Sequence, residues 1–357
     1  MSPTVAGRSS TAHHHDWAAH AAVLERTGDW DAVARLYAEG YRRAMEDGDL
    51  EQAATALLGR GQALGRKGCF REAEDLARQC SELAERNGLL GASARAISLL
   101  GVIRFFQSDY PAAADFYTRA RDIARALSDD FLVWSTTQNL GIIANIHGDF
   151  HEAKALYLES IGSAIRAENR EGAMRTYLNL GKACVCLEDW LEAEVYFDRG
   201  IEIAEQLGEL PVRTRLYANL AIPRIHTGEF TRATAALDRA VQLATRILDT
   251  ETLSHIARLR GMIARLRGNF AVAREHLTEA LSFATGPGCE LAHAEALEEK
   301  GHLHHAEGQM ENASSAFAKA RTAFLALGAQ HDVGRIEDLL SQCGTVAATP
   351  PASGTTV

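Results

Sequence analysis

Prolines, aromatic residues and long apolar runs are all scarce in this chain of 357 residues. It contains 7 prolines, and aromatic residues make up 7% of it. Proline interrupts helices because it lacks a backbone N–H, so its scarcity allows long helices. With 46% hydrophobic and 24% charged residues, the composition argues against a disordered chain, a collagen-like chain, a disulfide scaffold and a β-sandwich. We therefore expect helix throughout.

The 6 cysteines form no C-x-x-C pair, and their spacing matches no zinc module. We expect reduced thiols, a cytoplasmic location, no metal and no cofactor. No apolar run approaches the roughly 18 residues that span a bilayer, and the N-terminus has no apolar segment typical of a secretory signal. A formal net charge of −10 disfavours nonspecific nucleic-acid binding. We therefore predict neither a nucleic-acid nor a membrane partner.

An internal repeat organises nearly the whole chain. Its anchors are spaced forty residues apart without an insertion: Trp30, Phe70, Tyr110, Phe150, Trp190, Phe230, Phe270 and Met310. A glycine stands two residues before most anchors, with Ser108 and Glu188 as the exceptions. Alanine follows three residues after most anchors, a large residue seven after, and a small residue ten after. A glycine or alanine stands nine before each anchor.

These offsets predict a helical hairpin in each repeat. Positions three, seven and ten after the anchor share one helix face. Small residues in that row allow a neighbouring helix to approach closely, and the large residue fills the space between them. The glycine two before the anchor ends one helix before the next begins.

The best copies are Leu140-Gly141 with Gly148-Asp149-Phe150, and Leu180-Gly181 with Asp189-Trp190. This pattern resembles the tetratricopeptide repeat (TPR) family. The period is forty residues rather than about 34, as in the long repeats of LGN/Pins-type adaptors and bacterial regulatory TPR arrays. The resemblance implies an all-α fold, a right-handed superhelical α-solenoid of eight helical hairpins with a C-terminal capping helix.

We divide the chain accordingly. Residues 1–12 are predicted to be a disordered N-terminus. Residues 13–343 are predicted to form a single TPR superhelical domain, with a capping helix at about 331–342. Residues 344–357 are predicted to be a disordered tail.

In the TPR family the first helix of each hairpin lines the concave groove. The predicted peptide-binding residues at such positions are Arg95, Phe105, Gln138, Asn139, Arg175, Asn179, Lys182, Arg215, Asn219, Arg258 and Arg265. An asparagine amide both donates and accepts, so it can pair with a peptide backbone, whereas arginine offers a planar fork to carboxylates. The resemblance to LGN/Pins-type arrays implies this role for the arginine and asparagine pairs, most fully for Arg175 with Asn179 and Arg215 with Asn219.

Structural roles are the alternative for these residues. Asparagines at this position also fit a hydrogen bond to a neighbouring helix, and arginines on a helix face are usually solvated or paired with a glutamate four residues away. The last repeat places Glu295, Glu298, Glu299, His302 and His305 at groove positions. We interpret them as an acidic end of the groove rather than a metal site.

No phosphate loop, dinucleotide fingerprint, G-x-S-x-G elbow or H-E-x-x-H helix occurs in the sequence. We predict a non-enzymatic adaptor or scaffold whose groove binds an extended, acidic peptide segment of a partner protein. A ligand- or peptide-responsive regulatory protein acting in trans and a structural subunit of a larger complex remain alternatives. The oligomeric state is left open.

Overall fold

The computed structural model describes residues 16–286 and 288–347, and every regular element in these ranges is an α-helix. The predicted disordered N-terminus, residues 1–12, lies outside the described residues. The helices are α1 (Asp16–Thr27), α2 (Trp30–Asp47), α3 (Leu50–Arg66), α4 (Phe70–Asn87), α5 (Leu90–Phe106), α6 (Tyr110–Ala126), α7 (Asp130–His147), α8 (Phe150–Arg166), α9 (Arg170–Cys186), α10 (Trp190–Leu207), α11 (Leu210–His226), α12 (Phe230–Ile247), α13 (Thr250–Leu266), α14 (Phe270–Phe283), α15 (Glu290–Ala306), α16 (Met310–Ala326) and α17 (Gln330–Ala347).

The predicted all-α solenoid is confirmed: α1 to α16 form eight hairpins, and every anchor residue begins the second helix of its hairpin. Side chains at the junctions explain where helices begin. Asp49 accepts a hydrogen bond from the backbone N–H of Gln52, and Asn169 does the same for Gly172. Such caps satisfy amide groups that the first helical turn leaves unpaired. None of the helices in the described ranges has the length and apolar character needed to span a bilayer.

Ser108 and Glu188, which stand where other repeats have the glycine two residues before the anchor, adopt the same backbone conformation as those glycines. Gly68 and Gly148 have φ values of +79° and +84°, and Ser108 and Glu188 have φ values of +61° and +58°. This left-handed conformation favours glycine because a Cβ atom crowds the backbone. The hairpin turn therefore determines the conformation even where the sequence lacks the residue best suited to it.

In five of the eight hairpins, the core is a large side chain lying on a glycine. The ring of Phe197 lies against Gly181, and a Cβ added at Gly181 would stand 2.4 Å from a ring carbon. The same contact joins Tyr157 to Gly141, where the distance is 2.7 Å. These rings are almost fully buried, as are the small residues ten after the anchors. The anchor residues themselves are only half-buried.

The chain separates into two compact units, residues 1–140 and 141–357. Unit 1 has a core in which Leu57, Leu76 and Leu99 pack together. Unit 2 has a continuous core from Ala144 to Ile263, and a second cluster beneath α17. The single superhelical domain over residues 13–343 stays a prediction.

Helix α17 packs on α16 at the C-terminal end of unit 2. Val333 and Ile336 are buried against Phe317 and Phe324. The helix is longer than the capping helix expected at about 331–342, because it continues to Ala347. A single glycine, Gly344, does not end it, and no proline occurs between the start of α17 and Pro350. The first four residues assigned to the tail therefore belong to this helix, and the rest lie outside the described residues.

The contact between ring and glycine predicts that Gly181→Ala destabilises unit 2. The added methyl group would overlap the Phe197 ring, and overpacking of this kind costs about 1–3 kcal/mol. Gly162→Ala is the matched control, because its Cβ would meet only the end of the Arg166 side chain, at 3.5 Å. The control should gain up to about 1 kcal/mol from helix propensity. Urea unfolding measures the stability of both variants, and equal stability of Gly181→Ala and Gly162→Ala would contradict the proposed packing.

Candidate functional site

One face of α9 points toward odd-numbered helices from later repeats of unit 2. Lys182 interacts electrostatically with His255 of α13 and Glu295 of α15. Cys186, one turn further along α9, is similarly influenced by Arg335 of α17. Because these helices come from different hairpins, their facing sides share one surface. We call this surface of α9, α11, α13, α15 and α17 the inner face of unit 2.

Three predicted residues of α9 lie on this face, Lys182 itself with Arg175 and Asn179. Arg175 and Asn179 precede Lys182 by seven and three residues, which places them on the same side of the helix. Lys182 is exposed and forms no ion pair with any described residue. Arg175 is also exposed, but its guanidinium pairs with Glu171, one turn earlier. An exposed pair within one helix is weak and can be exchanged for another carboxylate.

Helix α11 presents the equivalent positions one repeat later. Arg215 is exposed, and among the described residues no carboxylate pairs with it. The amide of Asn219 donates to the carbonyl of Arg215 at 2.8 Å, so this asparagine has a structural hydrogen bond within its own helix. Asn179 is half-buried, and its amide makes no hydrogen bond to a described residue. The two asparagines, although equivalent by sequence, differ in what their amides can offer a ligand.

The predicted arginines of α13 are engaged by glutamates of α15. A guanidinium nitrogen of Arg258 lies 3.1 Å from Glu295. Arg265 donates two hydrogen bonds to Glu299, at 2.6 and 3.3 Å, and the Glu299 side chain is only 6% exposed. A peptide would have to compete with these carboxylates for either arginine. This half of the inner face is therefore internally neutralised.

The environment of Glu295 keeps it ionised. Burial is the largest single influence and would raise its pKa, but Arg258, the hydrogen bond with His255 and the charge of Lys182 together lower the pKa well below its usual range. Burial lowers the pKa of His255, which favours its neutral form. Because Nδ1 of His255 is 3.0 Å from Arg258 and 3.6 Å from Glu295, we assign Nδ1 as the acceptor from Arg258. Nε2 then carries the proton and has no partner among the described residues.

The remaining predicted residues belong to unit 1. Arg95 pairs with Asp129 at 3.1 Å, and Phe105 packs edge-on against Tyr110, with ring centroids 5.5 Å apart. Gln138 and Asn139 are half-buried on α7. The structure thus brings together the predicted residues of α9, α11 and α13 in unit 2, which form the candidate site.

Arg335 is the inner-face residue that the sequence-based prediction of the site missed. It forms an ion pair with Glu298, a nearly buried carboxylate of α15, and a second one with Asp332. Counting the forty-residue period one step beyond the last anchor would have found it. Arg335 holds the same repeat position as Arg95, Arg175 and Arg215.

One group of side chains in the described residues has donor atoms close enough for a metal ion. The donor atoms of Cys184, Asp189 and Glu192 lie within 4.8 Å of one another. Lys154 already balances the carboxylates, since its Nζ atom is 2.6 Å from Asp189 and 3.0 Å from Glu192. Burial raises the pKa of the Cys184 thiol to about 11, and a protonated thiol is a poor ligand. We interpret this group as a structural ion-pair cluster.

The low pKa of Glu295 predicts a pH-dependent contribution to stability. A carboxyl whose pKa is lower in the folded state stabilises it above the unfolded value of about 4.3, and that contribution is lost as pH falls. Glu295→Gln should therefore destabilise the protein by about 1–3 kcal/mol at pH 7. The difference in unfolding free energy between this variant and the parent protein should become smaller as pH falls below about 4.

Urea unfolding at several pH values tests this, with Glu171→Gln as the control. Glu171 is exposed and pairs only within its helix, so its loss should change stability by less than about 0.5 kcal/mol. If the difference in unfolding free energy between Glu295→Gln and the parent protein stays constant with pH, the lowered pKa assigned to Glu295 is wrong.

Comparisons with known proteins agree with the architecture. The family model for the tetratricopeptide repeat matches residues 52–126 and 129–206. The Tonsoku-like protein of Bos taurus is 25% identical over 261 residues, which cover 69% of this chain and 19% of that protein. The Tonsoku-like protein of Danio rerio is 26% identical over 147 residues, which are 40% of this chain and 10% of that protein. The chain spans at most about a fifth of the length of these relatives.

Solved structures share the fold at low sequence identity. A tetratricopeptide repeat protein from Parabacteroides merdae superposes with a TM-score of 0.58 and 18% identity, covering 82% of this chain and 99% of that one. A Rap protein complexed with competence and sporulation factor has a TM-score of 0.58 and 13% identity, covering 95% of this chain and 99% of that one. The family match over residues 52–126 and 129–206, together with the eight hairpins, supports a tetratricopeptide repeat protein.

Proposed function

We propose that the inner face of unit 2 binds an extended acidic segment of a partner protein, and that the chain is a non-catalytic adaptor. One observation carries this proposal. Lys182 and Arg215, on successive odd-numbered helices, are exposed cations that form no ion pair with a described carboxylate, although Lys182 also feels the more distant charge of Glu295. They occur in a chain whose formal net charge is −10, where most cations near this face are paired.

The charges of the inner face support a position for the peptide over α9 and α11. Helices α9 and α11 offer Arg175, Lys182 and Arg215, whereas α15 offers carboxylates that α13 and α17 already neutralise. An acidic peptide gains favourable contacts over α9 and α11 and none from the paired groups. The free amide of Asn179 can donate to, and accept from, the backbone of an extended peptide. Charge thus selects the acidic side chains, and the amide holds the chain irrespective of sequence.

Two solenoids of similar fold support a peptide as the ligand. The Rap protein above was solved with competence and sporulation factor, and a Rap conjugation regulator of plasmid pLS20 was solved in complex with the Phr* peptide. The second has a TM-score of 0.51 and 16% identity over 80% of this chain. These likenesses concern the fold, so the choice of an acidic segment rests on the charges of this chain alone.

Charge reversal of the unpaired cations tests the proposal. Lys182→Glu and Arg215→Glu should each weaken binding of acidic peptides about tenfold or more, because a charged hydrogen bond contributes about 1.5–3 kcal/mol. An array of extended peptides with varied number and spacing of Glu residues, each with a Gln counterpart, supplies the ligands. Fluorescence anisotropy at two salt concentrations measures the affinities.

Arg199→Glu is the matched control. Arg199 is an exposed arginine of α10, outside the inner face, and it pairs within its own helix with Glu202 at 3.3 Å. Its reversal changes the net charge by the same amount and should leave binding within about twofold, since only screened long-range attraction is altered. Equal losses of affinity in all three variants, or equal binding of Glu and Gln peptides, would contradict the proposal that acidic peptides bind at the inner face.

A further inference from the structure

The first turn of α17 touches the opposite end of the helical array in unit 2. The ring of His331 meets the ring of Phe150 edge-on, with centroids 5.0 Å apart. Carbon atoms of His331 also stand 3.7 and 3.8 Å from the position that a Cβ of Gly148 would occupy. Gly148 and Phe150 flank the start of α8. The stacked helices from α8 to α17 therefore return on themselves and form a closed ring.

The two ends of this ring are held very differently. On one side, Val333 and Ile336 of α17 pack into an apolar cluster with Phe317 and Phe324. On the other side, the contact consists of one aromatic pair and the approach of His331 to Gly148. Opening the second contact costs far less buried apolar surface than separating α17 from α16. Local opening follows such differences in contact strength.

Arg335 links this contact to the inner face. It lies one turn after His331 and pairs with Glu298, so the same face of α17 takes part in both the closing contact and the charged surface. A shift of the first turn of α17 would move both groups together. Closure of the ring and completion of the inner face are thus coupled through a single helical turn.

We propose that the contact of His331 with Phe150 and Gly148 is a latch that opens to admit a partner's segment to the inner face and closes around it. The nature of the ligand rests on the proposed function, whereas the latch itself rests on the contact. The proposed occupant is an internal segment of a folded partner. Such a segment is flanked by folded domains that cannot thread a closed ring, so it reaches the inner face only when the latch opens.

A disulfide across the latch gives a direct test. The Cβ separation of 3.8 Å between positions 148 and 331 matches the usual spacing in disulfides. We therefore expect Gly148→Cys/His331→Cys to cross-link on oxidation, in a Cys186→Ser background that removes the exposed thiol of α9. The probe is an acidic peptide from the array above, inserted between two small folded domains. Its association and dissociation should both slow more than tenfold in the oxidised form relative to the reduced form.

The reduced double variant controls for strain at position 148, where φ is +84°. The free peptide, without flanking domains, controls for damage to the inner face, and its equilibrium affinity should be the same in both redox states. Failure of the disulfide to form, or equal rates for the flanked probe in both states, would refute the latch.

A measurement without ligand separates failure of the latch from failure of the proposed function. His331→Ala should accelerate backbone hydrogen exchange at the junction of α7 and α8 and in the first turn of α17. Exchange in α16 should stay unchanged, because its apolar contacts with α17 remain. Unaltered exchange at the junction would refute the latch even if acidic peptides bind. Faster exchange in a protein that binds none of the peptides would retain the latch and reject the proposed ligand.

Discussion

The contact between a glycine and a large side chain sixteen residues later is the constraint on which the rest of this structure depends. In the hairpin of α9 and α10, Phe197 lies against Gly181. This contact fixes how closely the two helices approach and which side of the first helix is buried. The opposite side is then free to carry polar groups. Arg175 and Lys182 lie on the inner face because the Gly181 side of α9 is occupied by the core.

On the inner face, charges of α13 and α15 neutralise each other across neighbouring helices, whereas two exposed cations of α9 and α11 form no ion pair with a described residue. Arg265 and Glu299 illustrate the neutralised part, where a guanidinium of one repeat meets a nearly buried carboxylate of the next. Removing either partner would leave the other charge poorly solvated, so this part of the surface resists change. Lys182 and Arg215 illustrate the other part, where the cations are exposed and form no ion pair with a described residue. Ligand recognition and structural rigidity can therefore reside on one surface without sharing residues.

The sequence was sufficient to predict the hairpins, because the forty-residue period fixes the buried row directly. Even Ser108 and Glu188, which break the glycine pattern, adopt the expected turn. Pairing between repeats was harder to predict. A position count places Arg258 and Arg265 on the groove side, but it does not reveal that glutamates of the following repeat reach them. That outcome depends on side-chain lengths and on the rotation between repeats. The closing contact of His331 depends on rotation accumulated over the whole of unit 2, which no local pattern records.

A closed ring also limits how a protein built by duplication can vary in length. Deleting or duplicating one hairpin between Phe150 and His331 would preserve the period, every buried row and every turn. It would nevertheless move α17 away from α8 by the width of a hairpin, so the side chains of His331 and Phe150 could no longer meet. Relatives that keep an aromatic residue at position 150 and a histidine at position 331 should therefore keep the intervening number of hairpins as well. Relatives that have lost this pair are free to differ in repeat number.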